Sequence, residues 1–361
     1  MSKILRWMVC NGINRMNATK REEWPRSSLT PTALGFGAAQ LGNFKREMSE
    51  FDAQALIEAS WEAGVRFYDT APSYGHGLSE VRLGHALGCK PRDDYVLSTK
   101  VGRLLSPKAK AEIDFTPWVN GLPFDRHFDY TYDGAMRSIE DSLRRTGLAR
   151  IDVALIHEVD AVTHGNKQPD VFNEAMNGAA KALLDLRDQG VVRAIGVGVN
   201  ESDVALASIR RVDFDCVLLA GRYTLLEQYP LDDFLPLCHE RQVSVIVGGG
   251  YNSGILATGS VAGAMYNYAP ADDAMLNRVR RIESLCMEFG VPLKAAALQF
   301  ILAHPVIKTV IPGCRSVKQL YENIETLNAV IPIEFWRALQ MCRLIREEAP
   351  IPQDELQCQP A

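Results

Sequence analysis

Eight short apolar runs, each followed by a stretch of helical spacing, recur from residue 32 to residue 326, and no other feature of the chain limits its possible folds as strongly. The runs centre on Leu34 and on residues 64–69, 95–100, 151–157, 194–199, 216–220, 243–247 and 309–312. Helical patterns follow at 51–63, from about 78, at 132–143, 172–186, 202–211, 232–241, 271–289 with 292–303, and 317–326. Each run is apolar nearly throughout rather than alternating, which predicts burial on both faces and so a parallel sheet covered by helices. With eight units and no linker or shift in composition between them, the expected closure is an α/β fold of the TIM type, a (β/α)8 barrel. A chain of 361 residues, 47% of them hydrophobic, can bury the core that such a barrel requires.

In that fold the C-terminal ends of the strands form the active site. The stretch Gly64-Val-Arg-Phe-Tyr-Asp69-Thr-Ala-Pro-Ser-Tyr74-Gly-His-Gly-Leu-Ser-Glu80 delivers an acid to a strand end and a tyrosine to the loop beyond it. The next two runs end in Lys100 and His157. Singly, each residue has an ordinary explanation: Asp69 and Lys100 a buried ion pair, Tyr74 a loop aromatic, His157 a polar strand end. Their places on three consecutive strand ends favour one proton-transfer unit. A nearby ammonium lowers the pKa of a phenol, a carboxylate holds that ammonium charged, and a histidine orients a carbonyl or alcohol oxygen.

The net charge of −5, with lysines and arginines spread out, argues against nucleic acid as a partner. The eight cysteines stand singly without a C-x-x-C pair, so neither a metal site nor a disulfide framework is expected, and a reducing cytoplasm fits best. The first residues lack a signal-peptide pattern, and no run approaches the length of a membrane-spanning helix. Residues 1–30 are polar and irregular and are left unassigned, with Met16 as a second possible start. The barrel is expected over 31–350, and 351–361 is read as a tail.

Two segments stand out between the strands. Residues 103–130 hold Trp118, Phe124 and Phe128 among prolines and glycines with no sustained period, a long loop of the kind that usually carries function. Trp118 and Phe128 are its substrate-wall candidates, and for Trp118 anchoring of the loop is an equally good reading. The clearest helix, with Phe172, Met176, Ala179, Leu183 and Leu186 on one face, is expected to run unbroken to Gly190.

Asp-Thr-Ala-x-x-Tyr-Gly at 69–75, Gly-x-Ser-Glu at 77–80, Ser-Thr-Lys at 98–100, Leu-Ile-His at 155–157 and Ile-Pro-Gly-x-Arg…Glu-Asn at 311–323 resemble the aldo-keto reductase superfamily. The resemblance covers roughly residues 30–330. It implies a (β/α)8 barrel, a nicotinamide cofactor bound without a Rossmann fold, and a catalytic tetrad at Asp69, Tyr74, Lys100 and His157. The segments at 128–143 and 220–228 resemble the branch of aldose 1-dehydrogenases and pyridoxal 4-dehydrogenases, which implies oxidation of a small-molecule hemiacetal. A carbonyl reductase and a non-catalytic, channel-associated barrel remain alternatives.

For the cofactor, the chain departs from the superfamily where a Ser-Asn pair and a Gln usually meet the carboxamide, carrying Gly198-Val199-Asn200 and Ala220 there, so Asn200 and Arg222 are the carboxamide candidates, while the resemblance implies ring stacking by Tyr223. The glycine-rich run after the seventh strand lets backbone amides approach a pyrophosphate, with Gly249, Gly250, Gly254 and Leu256 as candidates. Gly313 and Gln319 stand where NADPH-dependent relatives carry cations. Their loss favours NAD, leaving Glu322 and Asn323 to contact the adenosine end, while the positive charge of Arg315 and Lys318 keeps NADP open. The segment 35–42 does not match G-x-G-x-x-G, which weakens a Rossmann alternative.

Overall fold

The computed structural model describes residues 16–352. The chain runs β1 (Phe36–Gly37), α1 (Glu50–Glu62), β2 (Phe67–Asp69), α2 (Leu78–Leu87) and β3 (Val96–Val101), then a hairpin of β4 (Arg103–Pro107) and β5 (Phe124–Phe128). It continues through α3 (Tyr132–Thr146), β6 (Val153–His157), α4 (Ala161–His164), α5 (Gln168–Asn177), α6 (Ala179–Asp188), β7 (Ala194–Val199), α7 (Ser202–Arg211) and β8 (Cys216–Ala220). The last part contains α8 (Phe234–Glu240), β9 (Ser244–Gly248), α9 (Ile255–Thr258), a small hairpin of β10 (Met265–Tyr266) and β11 (Ala269–Pro270), α10 (Asp273–Phe289), α11 (Leu293–Leu302), β12 (Ile307–Ile311), α12 (Val317–Asn328) and α13 (Ile333–Met341).

The main sheet has eight parallel strands in the order β1-β2-β3-β6-β7-β8-β9-β12. Parallel bridges from Leu34 to Val310 and from Gly37 to Gly313 carry the first strand back onto the last and close the ring. The expected barrel is therefore present, and most helix and strand limits fall within two residues of those read from the sequence. Leucine, isoleucine and valine fill the layer between barrel and helices, and a second cluster fills the interior. Phe67, Val153, Leu155, Leu218, Ile246 and Ile311 belong to that interior, together with Trp24 and Leu29 from the N-terminal segment. Trp24 lies 6.0 Å from the Phe67 ring, so part of the stretch left unassigned by the sequence packs into the barrel interior.

Two expectations are corrected. Residues 103–130 are not structureless: β4 and β5 pair in register from Arg103↔Phe128 to Pro107↔Phe124, an antiparallel ribbon standing on the end of β3. The helix expected to run unbroken to Gly190 is two, separated at Gly178 (φ −103°, ψ −79°). A β-carbon there would lie 2.7 Å from the Tyr130 carbonyl, so the close passage of the hairpin's exit strand requires a glycine and interrupts the helix.

Candidate active site

Asp69 ends β2, Lys100 lies next to the end of β3, and His157 ends β6. All three are nearly inaccessible to solvent. The Lys100 ammonium donates to Asp69 Oδ2 at 2.8 Å, to the Thr70 carbonyl at 2.8 Å and to the Tyr74 hydroxyl at 3.2 Å, which uses its three donors. The other Asp69 oxygen accepts from the Ser98 hydroxyl at 2.9 Å. Gly198 on β7 lies against the lysine stem, where a β-carbon would meet Lys100 Cε at an ordinary contact distance of 3.4 Å. The His157 ring stands edge-on to Tyr74 with centroids 6.0 Å apart, and its Nδ1 is buried without a partner.

The Tyr74 loop is held from two sides. A β-carbon on Gly42 would lie 2.5 Å from the Tyr74 carbonyl carbon, and one on Gly75 would lie 2.6 Å from the Gly42 oxygen, so only two glycines allow the loop after β1 to clamp it. Ser79 reinforces this clamp by hydrogen bonding to both Thr70 and the Ala38 carbonyl. On the other side His76 Nδ1 meets the Phe124 carbonyl at 2.6 Å, tying the loop to the hairpin. Trp118 completes the wall, 5.4 Å from the Tyr74 ring and 5.4 Å from the Phe44 ring. It is buried and anchors the hairpin, yet its indole Nε1 has no partner. Phe128 is half exposed on the rim, stacked on Tyr130 and lying over Arg103.

Burial opposes the charge on Lys100, but Asp69 and Tyr74 outweigh it and hold its pKa above the ordinary lysine value. For Tyr74 the balance runs the other way. Burial raises the phenol above its usual pKa, and the pull of Lys100 does not overcome it. Lys100 does favour the phenolate, as expected, but burial outweighs it, so at neutral pH Tyr74 rests as a phenol. Burial, Arg103 and Lys100 hold His157 well below 6.5, so its imidazole is neutral.

Of the expected cofactor contacts, Asn200 lies at the mouth beside His157. Its backbone N–H donates to Asp160 Oδ2 at 3.2 Å and its side-chain amide to Glu158 Oε1 at 3.2 Å. Arg222 turns to the small hairpin, donating to Asn267 Oδ1 at 2.8 Å. Tyr223 departs from the expected stacking role. Its left-handed backbone (φ +56°) turns the ring into the barrel–helix layer, where it is fully buried and stacks on Phe300 at 5.2 Å. Leu256 is also turned inward, with a fully buried side chain and its N–H donated to the Tyr251 carbonyl.

Gly249 (φ +63°) and Gly254 (φ +107°) take conformations that favour glycine, with open space where a β-carbon on Gly254 would point, whereas Gly250 packs against Ile301. The Tyr251 hydroxyl donates to Asn323 Oδ1 at 2.9 Å and ties this loop to α12. Gly313 lies beside the Gln40 amide, whose Oε1 is buried without a partner. Gln319 Oε1 accepts the Arg315 N–H at 2.8 Å, the Arg315 guanidinium donates to the Phe44 and Arg46 carbonyls, and Glu322 pairs with Lys294 at 2.9 Å. The open glycine loop, the orphaned Gln40 oxygen and the orphaned His157 nitrogen fit a polar cofactor across the mouth. Sequence reasoning missed Gln40, Arg103, Glu158 and Asp160, which adjoin recognised motifs but carry no signal of their own.

The sequence profile described as "Aldo/keto reductase family" matches residues 33–343. The pyridoxal 4-dehydrogenase of Microbacterium luteolum is 40% identical over 341 residues, covering 91% of this chain and 99% of that one. The D-threo-aldose 1-dehydrogenase of a Pseudomonas species is 40% identical over 324 residues, covering 88% of this chain and 96% of that one. Among solved structures, the holo form of an aldo-keto reductase from Bacillus halodurans superposes with a TM-score of 0.70 at 24% identity, covering 93% of this chain and 98% of that one, which bears on the fold. With these matches and a closed eight-stranded barrel, the chain belongs to the aldo/keto reductase family and is an oxidoreductase that uses a nicotinamide cofactor.

Proposed function

We propose that this oxidoreductase removes hydride from the anomeric C–OH carbon of a cyclic hemiacetal, an aldose such as L-fucose, D-arabinose or L-galactose, and releases a lactone. The observation that carries the reading is the hydrogen-bonded line from Asp69 through Lys100 to Tyr74, with a neutral His157 edge-on to the phenol. The nicotinamide, when bound, supplies a hydride acceptor. Tyr74, once deprotonated, takes the hydroxyl proton, Lys100 stabilises the phenolate that precedes this transfer, and Asp69 holds the ammonium in place. His157 donates one hydrogen bond to the reacting oxygen. The substrate loses one hydride and one proton and keeps its ring oxygen, so no water is consumed.

NAD is the proposed cofactor. The positions of Gly313 and Gln319 bear no cation, and Gln319 spends its amide oxygen on the Arg315 N–H. Arg315 is engaged with two backbone carbonyls, and the Glu322 carboxylate on α12 disfavours a further phosphate. Asn200 is the proposed carboxamide contact, and the loop from Gly249 to Gly254 the pyrophosphate contact. Pyridoxal, whose hemiacetal also yields a lactone, is the second reading, because the two named relatives are equally identical to this chain. The test is to incubate the enzyme and NAD⁺ with L-fucose, D-arabinose, L-galactose and pyridoxal, following absorbance at 340 nm and trapping products as hydroxamates. Lactone from a sugar supports the first reading and lactone from pyridoxal alone the second. Turnover confined to acyclic aldehydes or ketones with NADPH would overturn both.

A further inference from the structure

We propose that Arg103 and Glu158 determine substrate specificity by receiving the hydroxyl groups on the two carbons that follow the oxidised one, C2 and C3 of an aldose, an inference that rests on the hemiacetal reading above. Glu158 follows His157 directly and holds a left-handed backbone (φ +45°) that residues with side chains rarely adopt. Its N–H is fixed to the Gly198 carbonyl at 2.9 Å. In this conformation one carboxylate oxygen lies 3.9 Å from His157 Nε2 and pairs with Arg103, while the other accepts the Asn200 amide. The carboxylate is therefore set between the oxygen-orienting histidine and the proposed carboxamide contact.

Arg103 arrives three residues beyond Lys100, after Gly102 at φ +99°. A β-carbon on Gly102 would lie 2.2 Å from the Tyr130 ring, so the chain turns there only as glycine. The Arg103 guanidinium stands 5.1 Å over the Phe128 ring, and its Nε is buried without a partner. The pair is neither sealed in the core nor a free surface ion pair, with side-chain exposures of 14% for Arg103 and 27% for Glu158.

On the Tyr74 side of the site stands Trp118, whose Nε1 is likewise orphaned. The site thus has an aromatic side and a charged, planar, hydrogen-bonding side. A polyhydroxylated ring offers the matching chemistry: C–H groups for the aromatic face, hydroxyl donors for the carboxylate and oxygen acceptors for the guanidinium. A site built to hydrogen-bond a hydroxyl rejects strongly the analogue that lacks it, because its own polar groups are left unpaired.

The experiment measures kcat/KM for L-fucose and its 2-deoxy and 3-deoxy analogues in the wild type, Glu158→Gln and Arg103→Gln, with cofactor affinity read by tryptophan fluorescence. The wild type is expected to lose at least about 10²-fold on removal of one of these hydroxyls. Each variant is expected to lose about 10-fold or more on the parent sugar, mainly through KM, and to discriminate the deoxy analogue by less than about 10-fold. Cofactor affinity in Arg103→Gln, a residue that does not touch Asn200, should be unchanged. A wild type indifferent to both deoxy analogues, or variants that keep its discrimination, would overturn the proposal. Arg103→Lys, which keeps the charge, should give intermediate discrimination and serves if Arg103→Gln does not fold. If no aldose is oxidised, the sugar reading fails by itself, and the same comparison with pyridoxal and its 3-deoxy analogue decides the role of the pair by the same criteria.

Discussion

Lys100 Nζ donates to the hydroxyl oxygen of Tyr74 at 3.2 Å. That direction leaves the phenol proton unspent on the lysine, so it can point into the mouth of the barrel where a substrate oxygen would lie. The same ammonium is held by Asp69 at 2.8 Å, which makes the three side chains one unit rather than an ion pair with a bystander.

Tyr74→Phe removes the proposed proton carrier while leaving the ring packed on Trp118. Oxidation should fall by more than about 10²-fold, the lower end of what positioned acid–base groups contribute. Single-turnover rates and cofactor titration check this together, and near wild-type turnover with unchanged cofactor affinity would remove Tyr74 from the reaction.

The pH profile of oxidation follows from the directions of the shifts. The proposed reaction uses the base form of Tyr74, and burial holds its pKa above the usual phenol value, so kcat/KM should climb steadily from about pH 7 to about pH 10. His157 is neutral throughout this range, so no separate inflection near pH 6.5 is expected. A profile flat between these limits would contradict the assignment of Tyr74.

Stability should decline in mild acid for a different reason. His304 is buried and its pKa is pushed down to about 4, while in the unfolded chain it titrates near 6.5. Between those values the unfolded state binds more protons than the native state, so native stability is present above 6.5 and is lost as the pH falls. By linkage His304 alone contributes about 2 kcal/mol of loss between pH 6.5 and pH 5. Urea denaturation at the two pH values measures it, and His304→Gln should reduce the difference.

Trp118→Ala should act on both packing and binding. Truncating a buried tryptophan costs about 3 kcal/mol or more, and here it also frees the Tyr74 ring on one side. A lowered melting temperature with a raised KM for sugar is the expected pair of effects. Trp118→Phe, which keeps an aromatic face, should recover most of both.

Cofactor choice is tested by comparing kcat/KM with NAD⁺ and NADP⁺. NAD⁺ is expected to win by about 10-fold or more, as suits the uncharged residues at Gly313 and Gln319. Introducing a cation by Gln319→Arg should narrow or reverse the ratio. Equal or better use of NADP⁺ by the wild type would refute the reading of Gly313 and Gln319.

Local signals in the sequence were enough for the architecture and for the meeting of Asp69, Tyr74, Lys100 and His157 at one end of the barrel. Near-continuous apolar runs alternating with helical periods can close in few ways, and strand-end positions in a barrel face one mouth, so Asp69, Lys100 and His157 were legible before any coordinate. The hairpin at 103–130 was not, because β4 and β5 are short, mixed in polarity and separated by sixteen residues, so their pairing depends on closure across a long loop. The break at Gly178 was equally hidden, since its cause is the Tyr130 carbonyl, 48 positions away in sequence.

Side-chain direction was the other thing that only the tertiary structure decided. Tyr223 and Leu256 follow strands β8 and β9 in sequence, yet the backbone torsion of the first and the packing of the second turn both into the barrel–helix layer. Arg103, Glu158, Asp160 and Gln40 carry no motif and became visible only through the partners they meet or lack. The sequence by itself determined that Asp69, Lys100 and His157 stand at strand ends on the barrel mouth, because residue position along a strand is a local property. Which of them face the site, and whether burial or a neighbouring charge controls their protonation, was decided by the packed structure, because exposure and distance depend on residues far apart in the chain.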